Sequence, residues 1–392
     1  KNKKERVLEA ARLVNGAMKL AGSVQSLDAE VQQNMKRSNI SADQIVDMAL
    51  EAKEIGANTY SEVILCLPGD TKKAHTNTLR ALVNADFSTI SMYQLMILPG
   101  TEFGSEATIK SYEMELKYRA IPRAFGKYNV LGKEKNIVEV EAICIANNTM
   151  PYEEYLECRK LNLFVNIFYN DRIFDETLSI LRLLDIDIFA FLETLASDRT
   201  NSRVNALIDQ FIEETRHELY DEVDEVLSMF EDEATYAEYV DGVRGANLIF
   251  KFKTLSMTKY FNDICELISK NVEELASRAG LSADLKQILR ESVEYRRLQI
   301  EDIFDRYREP KIGHFNFDFK KLSADGLKDV EDLRSSPLNI EFVFTGEQEK
   351  DLDKYFDLFG NDMVGISRIL SRARITNFFR TPHGVQSCVN EL

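Results

Sequence analysis

Three apolar runs, with one helix between each run and the next, constrain the fold of this chain more than any other feature. The runs AMKLAGSVQS, YSEVILCLP and TISMYQLMILP lie at residues 17–26, 60–68 and 89–99. A helical pattern at 42–55 ends at Gly56, and Thr71 begins a second pattern that reaches about Asn84. Strands that recur with single helices between them pair in parallel through right-handed crossovers. Three such units are too few to close a barrel, so they predict a half-barrel or an open parallel sheet.

The rest of the chain changes character twice. A helix is predicted at about 105–119, and the alternating run IVEVEAICIA at 137–146 is typical of an edge strand. Apolar residues then keep helical spacing over a long stretch, after which HFNFDF and LNIEFVF alternate as strands do. We therefore predict an α/β domain over 1–150, an all-helical region over 151–310 and a small α+β region over 311–392.

Charge and hydropathy restrict the partners of this protein. The net charge of −16 repels phosphate backbones and predicts that no nucleic acid is bound. No apolar run approaches the ~18 residues of a membrane-spanning helix, and the first residues do not resemble a secretory signal, so we expect a cytoplasmic protein without membrane insertion. The window 209–233 holds eleven acidic residues and one basic residue, Arg216. This window is either a solvated face or a docking face for a basic partner.

The cysteines and histidines do not form a local metal motif. The five cysteines are scattered, no two of them within ten residues of each other, and the four histidines form no HxxxH or HExxH pair. We expect buried, reduced thiols in place of a disulfide scaffold or a metal site.

Polar residues follow the first two apolar runs. In GSVQSLDAEVQQNMKR the run ends at Gln25 and Ser26, and Arg37 follows Gln25 by twelve residues. A guanidinium presents fork-shaped donors to a carboxylate, and an amide can both donate and accept hydrogen bonds. In SEVILCLPGDT, Glu62 lies six positions before Pro68. Parallel sheets bind ligands at the carboxyl ends of their strands, so these side chains are candidates for one ligand site.

The three motifs together resemble the radical S-adenosylmethionine (SAM) superfamily. GSVQSLDAEVQQNMKR is similar to the region of the fourth strand, SEVILCLPGDT to the fifth-strand motif that ends in GLPGET, and MYQLMILPGTEFG to the sixth strand and its exit turn. This chain departs from the fifth-strand motif at Cys66, where Gly is usual, and at Asp70, where Glu is usual. The residues downstream to about 180 resemble radical SAM proteins that carry a cobalamin-binding domain.

The resemblance implies a role for each candidate residue. In the oxygen-independent coproporphyrinogen dehydrogenases of this superfamily, a Gln and an Arg with the same separation hold the amino-acid end of SAM. An acidic residue six positions before the proline binds the ribose hydroxyls there, and residues of the sixth strand contact adenine. The implied cofactor-binding residues of this chain are Gln25, Ser26, Arg37, Glu62, Ile97 and Leu98.

The same resemblance implies parts that this sequence does not show. Enzymes of this superfamily use three cysteines in a CxxxCxxC motif to hold a [4Fe–4S] cluster, which cleaves SAM to a 5′-deoxyadenosyl radical. This chain lacks that motif and begins at Lys1. We interpret it as the C-terminal part of a radical SAM enzyme, inactive alone, whose missing N-terminal part holds the cluster ligands and a cobalamin-binding domain.

Three questions stay open at this point. The reaction type and the small-molecule substrate are not readable from these residues. The basic and aromatic run from Lys117 to Tyr128 is either a packed return loop or part of the substrate mouth. The alternatives to a radical enzyme are a non-radical parallel α/β enzyme and a non-catalytic interaction module built on the acidic helices.

Overall fold

The computed structural model describes residues 9–10, 13, 20–36, 42–54, 57–305, 308–323 and 329–385. The chain separates into two compact units. The first comprises Lys1–Val165 with Asp209–Leu248, and the second comprises Asn166–Ile208 with Ile249–Leu392. Within the described ranges, no helix combines the length and the apolar character needed to cross a membrane.

A parallel sheet begins the first unit. Its strands are β1 (Leu20–Ala21), β2 (Thr59–Leu65) and β3 (Thr89–Gln94), in the spatial order β1-β2-β3, and both neighbouring pairs are parallel. The helices Ala42–Glu54 and Lys72–Asn84 lie between consecutive strands in the chain. The prediction of three adjacent parallel strands is therefore confirmed, and the half-barrel stays a prediction.

The central strand β2 has two different faces. Alternate residues from Thr59 to Leu65 are buried, whereas Tyr60, Glu62 and Ile64 are half-buried on the other face. This alternation follows from the two-residue period of a strand. The sheet therefore has one closed face and one partly open face that carries a tyrosine and a carboxylate.

The third apolar run does not form one strand. β3 ends at Gln94, and a short strand β4 (Met96–Ile97) belongs to a second sheet, where it pairs antiparallel. Leu95 joins the two sheets, because its N–H donates to the Leu65 carbonyl at 3.0 Å and its carbonyl accepts from the Cys144 N–H at 2.9 Å. The prediction of a single parallel strand over 89–99 was wrong, since the chain changes sheets at Leu95.

The second sheet is built on a long hairpin. β5 (Glu115–Val130) and β6 (Lys133–Ala146) pair antiparallel, and the spatial order is β4-β6-β5. The strand predicted at 137–146 therefore lies in the centre of its sheet, and its assignment to an edge was wrong. The periodicity of this run gives its exposure pattern but does not show whether a second neighbour pairs with it.

The helix predicted at 105–119 is also shorter than expected. It spans Glu106–Ser111, and the following residues enter β5. Pro122 has no N–H to donate, and it lies where the ladder changes register between Ala120 and Phe125. The basic and aromatic run from Lys117 to Tyr128 is therefore a strand, and its interpretation as a return loop was wrong.

Helices of the acidic window cover this hairpin. The helices Val223–Met229 and Glu233–Val240 follow each other in the chain. Val226, the C-cap residue Phe230 and Tyr239 belong to a cluster of buried apolar residues. The hairpin contributes Ala120 and Val138 to the same cluster, with Phe125 packed against it. The acidic window is therefore amphipathic, because its apolar side is part of a core.

The second unit contains helices and a small antiparallel sheet. The strands β7 (Lys311–Phe317), β8 (Arg334–Val343) and β9 (Thr381–Val385) have the spatial order β7-β8-β9. The α-helices of this unit that precede the sheet are Asp175–Leu183, Ile188–Ser197, Leu248–Met257, Phe261–Arg278 and Ala283–Ile300. The helices Gly346–Phe359 and Met363–Arg372 lie between β8 and β9 in the chain. The domain boundaries at 150 and 310 stay predictions.

Candidate functional site

Gln25 is built into the parallel sheet beyond the end of β1. Its N–H donates to the Glu62 carbonyl at 2.8 Å, and its carbonyl accepts from the Ile64 N–H at 2.9 Å. Its backbone takes a φ of 55°, which L residues other than Gly, Asn and Asp seldom adopt. The side chain is buried, and its Oε1 atom accepts no hydrogen bond from the described residues. Gln25 therefore combines an unusual backbone with an unsatisfied buried acceptor.

Ser26 turns the chain from the sheet into a short helix. Its hydroxyl accepts from the Asp28 N–H at 3.2 Å, and Asp28 caps the helix Ala29–Asn34 by accepting from two of its backbone N–H groups. The Ser26 side chain is buried and fixes the local turn. Arg37, the partner predicted for Gln25, lies outside the described residues.

Glu62 lies on the partly open face of β2, next to the strand position of Gln25. It pairs across the sheet with Ser91 of β3, and the Tyr60 hydroxyl donates to its Oε1 at 2.9 Å. Tyr60 also approaches the Tyr93 hydroxyl at 3.4 Å. Burial raises the pKa of Tyr60, so this hydroxyl keeps its proton and stays a donor at neutral pH. A carboxylate held by a tyrosine on an open face can accept further hydroxyl donors.

Sequence reasoning missed the two tyrosines on this face. Tyr60 lies two residues before Glu62 in β2, so the two-residue period alone places both side chains on the same side. Tyr93 could not be found in this way, because its position opposite Ile64 depends on the register between β2 and β3.

Ile97 and Leu98 do not lie in the parallel sheet. Ile97 follows Leu95 into the second sheet and is buried in an apolar cluster, whereas Leu98 is 52% exposed. The structure therefore bonds the Gln25 backbone to β2 beside Glu62, but it places Ile97 in a different sheet and Leu98 just beyond the end of β4. Their contact with adenine stays a prediction.

The turn after β2 has a backbone conformation that favours Gly, although Cys66 occupies it. Cys66 has a φ of 68°, a left-handed conformation that Gly adopts more readily, so the chain bends as a Gly would allow. The Cys66 thiol is fully buried, and its Sγ lies 3.7 Å from the Cys144 Sγ. The hydrogen bond to Cys144 and burial both raise the pKa of the Cys66 thiol. A protonated, enclosed thiol of this kind serves packing.

Asp70 ends this turn as a buried carboxyl. Its Oδ2 accepts from the Cys66 N–H at 3.1 Å, and its Oδ1 accepts from the Thr71 N–H at 2.9 Å. Burial raises the pKa of Asp70 to about 7, although the two backbone hydrogen bonds act in the opposite direction. Thr71 then caps the helix Lys72–Asn84 by accepting from the Ala74 N–H, as its sequence position predicts.

We expect Asp70 to make the protein less stable as the pH rises from about 4 to about 7. The folded state keeps a proton over this range that the unfolded chain has already released, since the ordinary pKa of the group is 3.8. The stability that this proton contributes is present at low pH and is lost as the pH passes the raised pKa. Urea denaturation at several pH values measures how the free energy of unfolding changes with pH. Asp70→Asn should remove the part of this change that Asp70 causes. An identical change with pH in the variant would contradict the assignment.

Basic residues of β5 pair with the acidic window. Arg119 contacts Glu141 at 2.6 Å and Glu218 at 2.7 Å, and all three side chains are largely buried. In addition, Lys117 pairs with Asp221, and Lys127 with Glu233 at 2.7 Å. Part of the acidic window is thus neutralised within its own unit, which weakens its interpretation as a docking face for a basic partner.

The described residues hold no arrangement for a metal ion. No group of three or more His, Cys, Asp or Glu side chains is placed to bind one within these ranges. Cys66, Cys144, Cys158 and Cys265 are all buried and reduced.

Comparison with known proteins relates the chain distantly to two methyltransferases. No family model matches it. The cobalamin-dependent radical SAM methyltransferase TokK of Streptomyces tokunonensis is 25% identical over 174 residues, which cover 43% of this chain and 25% of that protein. The 2-(S-pantetheinyl)-carbapenam-3-carboxylate methyltransferase of Streptantibioticus cattleyicolor is 25% identical over 162 residues, which cover 40% of this chain and 23% of that protein. The chain thus spans about a quarter of the length of these relatives.

Proposed function

We propose that this chain is part of a radical SAM methyltransferase and that SAM binds at the carboxyl ends of the strands of its parallel sheet. The observation that carries the proposal is the buried, unsatisfied Oε1 of Gln25 beside the partly exposed carboxylate of Glu62 on the adjacent strand. Both residues were singled out by the motif resemblance, and the distant relatives are methyltransferases, one of them named as radical SAM and cobalamin-dependent.

The candidate residues at this end of the sheet fit the polar groups of SAM. The Gln25 Oε1 is suited to accept from the ammonium group of the methionine part, and Arg37 is proposed to pair with its carboxylate. Glu62, oriented by the Tyr60 hydroxyl, is suited to accept from the ribose hydroxyls. The cofactor, when bound, supplies the methyl group or the 5′-deoxyadenosyl radical. This chain's own contribution is to orient the cofactor at both ends.

The proposal includes two further cofactors. The [4Fe–4S] cluster and cobalamin are proposed to be held by another part of the protein. The substrate is proposed to be a small molecule. The non-radical α/β enzyme stays the alternative, because enzymes of many unrelated reaction types are built on open parallel sheets with polar residues at one edge.

The experiment is calorimetry with SAM on the anaerobic full-length protein with its cluster in place. Arg37→Ala should weaken binding by roughly 10–150-fold, because a charged hydrogen bond contributes about 1.5–3 kcal/mol. Arg37→Lys should recover only part of the loss, since an ammonium cannot form the fork. Glu62→Ala should weaken binding more than Glu62→Gln, whose amide oxygen still accepts a hydroxyl.

Two nearby charged residues serve as controls. Glu30 is exposed on the helix after Ser26, and Lys36 is exposed and pairs with Glu102. Alanine at either position should leave the affinity for SAM unchanged. If Arg37→Ala and Glu62→Ala both bind SAM like the unaltered protein, the site is assigned to the wrong residues.

A further inference from the structure

Arg159 is a buried arginine without a partner. It lies on the helix Tyr152–Phe164 and is 3% exposed. Its guanidinium forms no hydrogen bond and no ion pair with any described residue, and its Nε is completely enclosed. An arginine carries five N–H donors, and buried donors are almost always satisfied. An enclosed Nε without a hydrogen-bond partner among the described residues is therefore unusual for an arginine that serves packing alone.

The groups around Arg159 orient it but do not neutralise it. The guanidinium lies over the ring of Phe211, with 5.4 Å between its central carbon and the ring centroid. The charged and titratable groups that act on it are Tyr155, Glu218 and Arg119. Glu218 is already bound to Arg119 at 2.7 Å, so the nearest carboxylate is committed to another cation.

A second observation connects Arg159 to the parallel sheet. Tyr155, one helical turn before Arg159, is fully buried, and the side-chain amide of Gln94 donates to its hydroxyl. Gln94 is the last residue of β3. The helix that carries Arg159 is therefore bonded through Tyr155 to the carboxyl end of β3, the end at which parallel sheets bind ligands.

We infer that Arg159 binds the carboxylate of the small-molecule substrate, an inference that rests on the proposed function. A carboxylate is the group that matches the guanidinium fork, and it would satisfy the unused donors. SAM also carries a carboxylate, at its methionine end. The proposed function assigns that end to Gln25, which lies beside β2 on the side away from β3. Two strand spacings, roughly 9.5 Å, separate the ladder position of Gln25 from β3.

The experiment compares a carboxylate with its neutral isostere on the 392-residue chain. N-acetylproline, N-acetylprolinamide and sulfate are each titrated at constant ionic strength, with binding followed by ligand-observed NMR and by the melting temperature. The carboxylate should bind and raise the melting temperature, and the amide should not. Arg159→Met should weaken binding of the carboxylate by roughly 10–150-fold. Arg159→Lys should retain part of the binding.

The same variant distinguishes a ligand-binding role from a structural one. Without ligand, Arg159→Met should melt at the same temperature as the unaltered protein or higher, because it removes a buried charge that has no partner. Arg216→Met is the matched control, since Arg216 pairs with Glu153 and should not affect carboxylate binding. A variant that unfolds, or that melts lower without ligand, would show that Arg159 is structural and would overturn the inference.

The other possible results also test the assignment of Arg159 to a substrate carboxylate. Equal responses to the carboxylate and the amide, or to the carboxylate and sulfate, would overturn the assignment of a carboxylate site. Calorimetry with SAM distinguishes the carboxylate of the substrate from the carboxylate of SAM. Arg159→Met should bind SAM with unchanged affinity. A loss of that affinity would assign Arg159 to SAM and overturn its role in substrate binding. If the unaltered protein binds no SAM but keeps the response to N-acetylproline, the proposed function fails and the carboxylate site stands.

Discussion

Arg119→Met is expected to lower the free energy of unfolding of the first unit by about 3–5 kcal/mol. Burial would lower the pKa of Arg119, but the carboxylates of Glu218 and Glu141 outweigh it and raise that pKa, so the guanidinium stays charged. Methionine fills a similar volume but leaves two buried carboxylates without their cation. The cost comes from these stranded charges rather than from lost packing.

Hydrogen exchange of the amides in the β5–β6 ladder, measured in increasing urea, reports this loss within the first unit. Lys117→Met is the control, because the Asp221 side chain that it pairs with is 74% exposed, and such pairs contribute at most about 1 kcal/mol. Replacing Arg119, Glu141 and Glu218 together by apolar residues should restore much of the stability. If Arg119→Met and Lys117→Met lower the free energy of unfolding equally, the buried ion pairs of Arg119 contribute no more to stability than the exposed pair of Lys117.

Phe230→Ala is expected to destabilise the same unit by about 3–5 kcal/mol. Phe230 is 1% exposed, and its ring centroid lies 4.5 Å from that of Tyr239 and 5.6 Å from that of Phe125. Removing the ring leaves a cavity between the hairpin and the helices that cover it. The loss should appear in urea denaturation.

Leu227→Ala provides the comparison for Phe230. Leu227 is on the same helix but is 42% exposed, so its truncation should change stability by less than about 0.5 kcal/mol. If both variants lose the same amount, the helix Val223–Met229 does not cover the hairpin through Phe230.

Local pattern predicted the parallel sheet well. The spacing of the apolar runs placed β1, β2 and β3 in order, and Thr71 capped the helix where its sequence position predicted. The two-residue period of β2 also placed Glu62 on the face opposite to the buried residues. Each of these features depends on residues that are close in sequence, so a short window contains the information.

The candidate site was predicted only in part. Gln25 and Glu62 lie next to each other in the parallel sheet, as their motifs suggested, but Ile97 follows the chain into another sheet and Leu98 lies just beyond the end of β4. The turn at Leu95 depends on hydrogen bonds to Leu65 and to Cys144, residues far away along the chain. No window around Leu95 contains either of these partners.

The sequence by itself determined the order of strands and helices, the cap at Thr71 and the two faces of β2, because propensity and periodicity are properties of neighbouring residues. Only the tertiary structure decided that the run from Lys117 forms a strand, that Arg119 is neutralised by Glu141 and Glu218, and that Arg159 forms no hydrogen bond or ion pair with a described residue. These outcomes depend on contacts between residues from about 22 to about 100 positions apart. Burial and pairing of charge are set by which segments meet, and that meeting is decided by the packing of the whole unit.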